Sequence, residues 1–160
     1  MKKNQKGGRE QSNYDEKYLK SSVYELKGSD FNGTSIKHDA FKNKFGFLKV
    51  YAPWCGHCQN MVPSMNFLAN ELKKENIVFG ALNSENPNNS KKLQELDVGY
   101  FPSLYMVYDD GKTEKVEMNN NSVEAILDVI CDKSNGYVNN SKSVNKKGKC
   151  CKKVGDTIKC

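Results

Sequence analysis

Apolar residues recur along this chain at two spacings, every second position and roughly every third to fourth, and the alternation between them predicts a sheet with helices packed on it. Val23 to Leu26 alternates as a short first strand. Lys27 to Thr34 supplies turn residues, and Ser35 to Lys44 places Ile36, Ala40 and Phe41 at helical spacing, with His38 on the surface of the predicted helix. Phe47 to Ala52 is an apolar run broken only by Lys49, the pattern of a central strand buried on both faces. Met61, Met65, Leu68 and Leu72 then form one stripe of an amphipathic helix that faces the sheet, and Pro63 within it predicts a kink. Ile77 to Leu82 is a further strand. After the turn Asn86-Pro87-Asn88-Asn89, Ser90 to Asp97 reads as a short helix that packs Leu93 and Leu96. Strand, helix and strand in that order imply parallel pairing. Leu104 to Tyr108 and Lys115 to Met118 flank Asp109-Asp110-Gly111-Lys112, whose Asp-Gly pair favours a tight hairpin and so an antiparallel edge. A last helix has Asn121 and Glu124 at capping-box spacing, with Val123, Ile126, Leu127 and Ile130 on one face.

Both ends lack this patterning. Residues 1–22 mix Lys, Asn, Gln, Gly and Glu with few large aliphatics, and residues 134–160 are rich in Lys, Asn, Ser and Cys, so each reads as a flexible segment around one domain over residues 23–133. A chain of 160 residues suits a single core. The net charge of +6 belongs to the tail, because seven of the 25 basic residues fall between Lys142 and Cys160 against Asp156 alone. The remaining 141 residues carry 18 bases and 18 acids, so no nucleic-acid footprint is expected on the fold, although the tail could bind acidic partners weakly. All basic residues except Arg9 are lysine and Asn is abundant, a bias that AT-rich coding, as in some large DNA viruses, would produce. Met1 to Lys20 has no apolar h-region, so neither a secretory signal nor a membrane span is expected there. With no Lys-Asp-Glu-Leu signal at the end, the expected setting is cytoplasmic or a virion.

The chemistry concentrates where the central strand meets the long helix. Cys55 stands at the helix start, where unpaired N–H groups and about half a positive charge favour the thiolate, the form that attacks disulfides. Cys58 lies one turn further on and can close a disulfide with Cys55, which makes a reversible two-electron switch. Zinc sites use the same Cys-X-X-Cys spacing, usually with a second pair or histidines. The wider context decides for redox chemistry. Ala52-Pro53-Trp54-Cys55-Gly56-His57-Cys58 resembles the active site of the thioredoxin superfamily, in particular its protein disulfide isomerase type. Val98-Gly99-Tyr100-Phe101-Pro102-Ser103, just before a strand, resembles the loop in which such proteins hold a cis-proline beside the cysteines.

The resemblance implies a thioredoxin fold, a mixed central sheet with helices on both faces, and a thiol-disulfide oxidoreductase that acts on protein disulfides as a reductase or isomerase, with net oxidation expected only in an oxidising place. Cys55 would be the nucleophile and Cys58 the resolving thiol. His57, partly cationic near neutral pH, would stabilise the Cys55 thiolate and make the site more oxidising. Pro102 would be cis, expose the backbone of Phe101 to an extended substrate and keep metal from the cysteines; Trp54 and Gly56 would shape the substrate surface. Lys49 departs from the family pattern, which places a buried Asp or Glu six residues before the first cysteine. When neutral, this lysine could accept the Cys58 proton; when charged, it would favour the thiolate; or its amine could snorkel to the sheet edge. The mobile arginine of isomerase domains has no counterpart nearer than Arg9.

Cys131, near the end of the last helix, reads as a buried small apolar residue. Cys150, Cys151 and Cys160 sit among lysines that lower thiol pKa, and intermolecular disulfides, exchange with Cys55, metal binding or an inert reduced tail all remain open. No metal and no organic cofactor is expected. The expected partners are proteins that carry disulfides, with a reductase or glutathione as electron donor, and neither nucleic acid nor membrane. The competing reading is a redox-inactive binding or structural module, for example in a virion.

Overall fold

Phe45–Tyr51 forms the central strand of the computed structural model, which describes residues 22–134 and 150–160. The expected flexible lead-in, with Tyr14 and Tyr18, and Arg9 lie outside the described residues. In chain order the strands are β1 (Tyr24–Leu26), β2 (Phe31–Asn32), β3 (Ser35–Ile36), β4 (Phe45–Tyr51), β5 (Ile77–Asn83), β6 (Ser103–Val107), β7 (Thr113–Val116), β8 (Lys152–Val154) and β9 (Thr157–Lys159). The helices are α1 (Gly56–Glu71), α2 (Ser90–Glu95) and α3 (Val123–Lys133). The main sheet runs β1-β5-β4-β6-β7, with β1, β5 and β4 parallel and β6 and β7 antiparallel. This is a thioredoxin fold: a mixed sheet covered on both faces.

Two apolar clusters fill those faces. Phe47, Phe79, Leu104 and Met106 meet Met61, Met65 and Leu68 of α1 and Ile126 and Ile130 of α3 on one side. Leu48, Val50, Leu82 and Val107 meet Phe31, Ile36, Phe41 and Leu96 on the other. The second side is tight because two strand positions are glycine. A Cβ at Gly80 would stand 2.8 Å from the Phe41 ring, and one at Gly46 would stand 2.6 Å from the Val78 carbonyl oxygen. The methionines of the predicted stripe are fully buried, and α1 continues through Pro63.

Three local expectations give way. Residues 35–44 do not form a helix: Ile36 pairs with Phe31 across β2 and β3, and the N–H groups of Ile36 and Lys37 donate to the carbonyls of Gly111 and Asp30. Only a single 3-10 turn, Asp39–Phe41, follows. His38 is half-buried rather than on the surface, packs near the rings of Tyr24 and Phe41, and accepts the Ala40 N–H at Nδ1. The cap of α3 is Ser122, whose hydroxyl accepts the N–H of Ala125, one position later than the Asn121 spacing suggests.

The largest difference lies at the C-terminal end, where residues 150–160, part of the expected flexible tail, contain an antiparallel hairpin, β8 paired with β9; residues 135–149 of that tail lie outside the described residues. Cys131 is bonded to Cys150, with Cα atoms 5.5 Å apart, and Cys151 is bonded to Cys160, with Cα atoms 4.0 Å apart. Cys131 is thus a disulfide partner and not merely a small apolar residue. Cys151 and Ile158 join the α1 and α3 side of the core. Covalent links and these two buried side chains supply order that the sequence periodicity does not reveal.

Candidate active site

The end of β4 and the start of α1 build the site. The carbonyl of Ala52 accepts the Cys55 N–H at 3.1 Å, and Gln59 on the first turn of α1 donates to the Pro53 carbonyl at 2.7 Å, so the bend between strand and helix is tied on both sides. Cys55 is the N-cap of α1. The N–H of Cys58 donates to its sulfur at 3.2 Å, a bond that a sulfur anion accepts better than a thiol, and the helix dipole acts in the same sense. Both cysteines are thiols, neither joined in a disulfide, and both are buried.

The loop before β6 closes over Cys55 from the other side. The Phe101–Pro102 bond is cis, and the Cys55 thiol donates to the Phe101 carbonyl at 3.6 Å. Residues nearly fifty positions apart in sequence therefore meet at one sulfur. Trp54 is 67 % exposed and stands edge-on to the Phe101 ring, 5.9 Å between centroids, while its indole N–H donates to Glu85 at 3.2 Å. Glu85 follows Asn83, whose side chain accepts the Glu85 N–H and whose carbonyl is held by Asn89. Sequence reasoning missed Glu85, since no spacing links residue 85 to residue 54. Gly56 and His57 are exposed, and a Cβ at Gly56 would meet open space, so packing does not demand glycine there.

Beneath the cysteines lies Lys49, fully buried, its Nζ donating to the Cys58 carbonyl at 2.6 Å. It does not snorkel. Burial pushes its pKa down to about 7, against the opposing pull of Cys58, Cys55 and Glu25. Burial likewise pushes the Cys58 thiol up to about 12, reinforced by its hydrogen bond with Cys55 and moderated by the Ala52 backbone and Lys49. Glu25, on β1, was not foreseen either: it accepts the Tyr51 hydroxyl at 3.0 and 2.9 Å on its two oxygens. Of the residues expected at the site, Cys55, Cys58, Trp54, Phe101, Pro102 and Lys49 come together around the dithiol. No group of three or more His, Cys, Asp or Glu side chains that could hold a metal occurs among the described residues.

Comparison with known proteins adds the following. A family model described as Thioredoxin matches residues 22–132. A protein disulfide-isomerase of Ricinus communis is 33 % identical over 95 residues, which cover 58 % of this chain and 18 % of that protein. Protein disulfide-isomerase 1 of Dictyostelium discoideum is 29 % identical over 109 residues, 67 % of this chain and 28 % of its own length. The chain thus spans less than a third of these curated relatives. Among solved structures, thioredoxin f from spinach chloroplast superposes with a TM-score of 0.54 at 23 % identity, covering 69 % of this chain and 91 % of that one, a likeness of fold.

Proposed function

From the premise that this chain belongs to the thioredoxin family, we propose that it is a thiol-disulfide oxidoreductase that acts on protein disulfides through Cys55 and Cys58. The observation that carries this reading is the geometry at Cys55: a free thiol at a helix N-terminus, hydrogen-bonded from the Cys58 N–H and covered on one side by the Phe101–Pro102 loop. Cys55, as thiolate, attacks one sulfur of a substrate disulfide; a mixed disulfide forms and the other substrate sulfur leaves as thiolate. Cys58 then attacks the Cys55 sulfur, releases the reduced substrate, and leaves the Cys55–Cys58 disulfide. Run in reverse, the same steps oxidise or shuffle a substrate.

The exposed ring of Trp54 and the half-buried ring of Phe101 border the nucleophile, with Phe101 and Pro102 offering backbone to an extended chain. His57, exposed next to the dithiol, acts on its charge from the solvent side. Two disulfides at the C-terminal end support work in a place where disulfides persist, which weighs against a reducing cytoplasm and favours oxidation or isomerisation over net reduction. The electrons then pass to or from a reductase or a glutathione pool. No helix among the described residues is long and apolar enough to cross a membrane.

Reduction of insulin with dithiothreitol as electron source tests the reading. Wild type turns over, and Cys55→Ser abolishes turnover. A wild type no faster than dithiothreitol alone would leave the binding-module reading in its place.

A further inference from the structure

Lys49 stands in a row of the sheet that runs through three strands. Ala81 of β5 pairs with Glu25 of β1 on one side and with Lys49 of β4 on the other. Residues level on neighbouring strands project to the same face, and the outer two backbones of such a row stand about 10 Å apart. Between them the row carries Ala81, whose side chain is a methyl. Tyr51, two residues beyond Lys49 and so on the same face, donates its hydroxyl to Glu25, and the Lys49 amine lies 5.7 Å from the Tyr51 ring centroid. On the helix side the same amine donates to the carbonyl of Cys58, the residue that bears the resolving thiol.

We propose that Lys49 accepts the proton of Cys58 when the mixed disulfide is resolved, and that Glu25 is a positioning residue that sets the proton affinity of Lys49. This rests on the thiol-exchange reading given above. The acid expected six residues before the first cysteine is replaced by a base, and an acid appears two strands away in the same row. Among the described residues, the titratable groups that act on Lys49 are Cys58 and Cys55 from α1 and Glu25 from β1, which also accepts the Tyr51 hydroxyl. With Lys49 held near 7 and Cys58 near 12, much of the amine is neutral at neutral pH while the thiol keeps its proton. The Cys58 S–H proton passes to the Lys49 lone pair, the Cys58 sulfur forms a bond to the Cys55 sulfur, the bond from Cys55 to substrate breaks, and the substrate leaves as a thiolate. Lysine becomes ammonium, its charge opposed by the Glu25 carboxylate.

Stopped-flow reaction of the reduced site with dithiobis(nitrobenzoate) separates the two half-steps, because attack by Cys55 and resolution by Cys58 each release one coloured thiolate. The second phase in wild type should rise with pH and level off with a midpoint of about 7. Lys49→Met should slow that phase about 100-fold near pH 8 and leave the first phase in place, the usual size of a lost general base. Lys49→Glu should restore much of the rate. Glu25→Gln should move the midpoint below that of wild type, since it removes an anion that favours protonated Lys49. A second phase in Lys49→Met with the wild-type rate and midpoint would overturn the proposal, as would Lys49→Glu slower than Lys49→Met, the order that a fixed positive charge predicts. If Lys49→Met loses its first phase through misfolding, the wild-type profile decides: a rate that keeps climbing toward the Cys58 value overturns the proposal. Absence of any release that depends on Cys55 would instead remove the thiol-exchange reading itself.

Discussion

Lys49 carries an electrostatic cost that pH can remove. Its folded pKa of about 7 lies below the ordinary 10.5, so between those values the unfolded chain binds a proton that the folded chain lacks, and stability rises with pH. Below 7 both states are charged and the desolvation penalty is present in full. Cys58 has the opposite sign: its pKa of about 12 against an ordinary 9.0 means that the folded state keeps a proton which the unfolded state loses, and stability falls across that window. Together the two groups raise stability from pH 7 to 9, by about 2–3 kcal/mol at roughly 1.4 kcal/mol per unit, and oppose each other above that. Urea denaturation of the reduced protein across this range should show the rise, and Lys49→Met should lack it. Equal pH profiles would mean that Lys49 is not the buried charge. At this scale Lys49 was legible in the sequence as an anomaly, one charge in an apolar strand. Its partner was not, because Glu25 is brought to it only by the parallel register of β1 on β5.

Among the elements, the strands and long helices were legible because burial imposes a period on them, while short segments were not. Ile36 and Phe41 have the spacing of a helix, yet one pairs within a small hairpin and the other fills space over Gly46 and Gly80. Local pattern cannot tell these apart. The hairpin formed by β8 and β9 is a different case: Ile158 is its one fully committed aliphatic residue, and cysteine pairing cannot be deduced from spacing. Its order is therefore predicted to depend on the covalent links. Native protein without reductant should accept alkylation at Cys55 alone, because Cys58 is buried and keeps its proton and the other four cysteines are bonded, and all six cysteines should react after denaturation and reduction. Cys131→Ser should lower the unfolding free energy by about 2–4 kcal/mol and make Cys150 reactive; unchanged stability would mean that the hairpin does not depend on that bond.

For the molecule as a whole, function follows from where the sheet places its ends. The C-terminal end of β4, the N-terminus of α1 and the start of β6 converge, so one sulfur meets a helix dipole, a neighbouring thiol and the Phe101 carbonyl at once. The two motifs that resemble the thioredoxin superfamily mark these pieces between them, one joining β4 to α1 and the other leading into β6, which is why the family could be read from so few residues. Under the proposed proton transfer, the base beneath them and the acid across the sheet would adapt the same frame to different proton handling. The direct test is to trap the intermediate: Cys58→Ser incubated with a disulfide-linked peptide, followed by peptide mass spectrometry. A stable mixed disulfide on Cys55 is expected, absent from wild type because Cys58 resolves it. No adduct, or one formed only on the cysteines of the C-terminal hairpin, would contradict it.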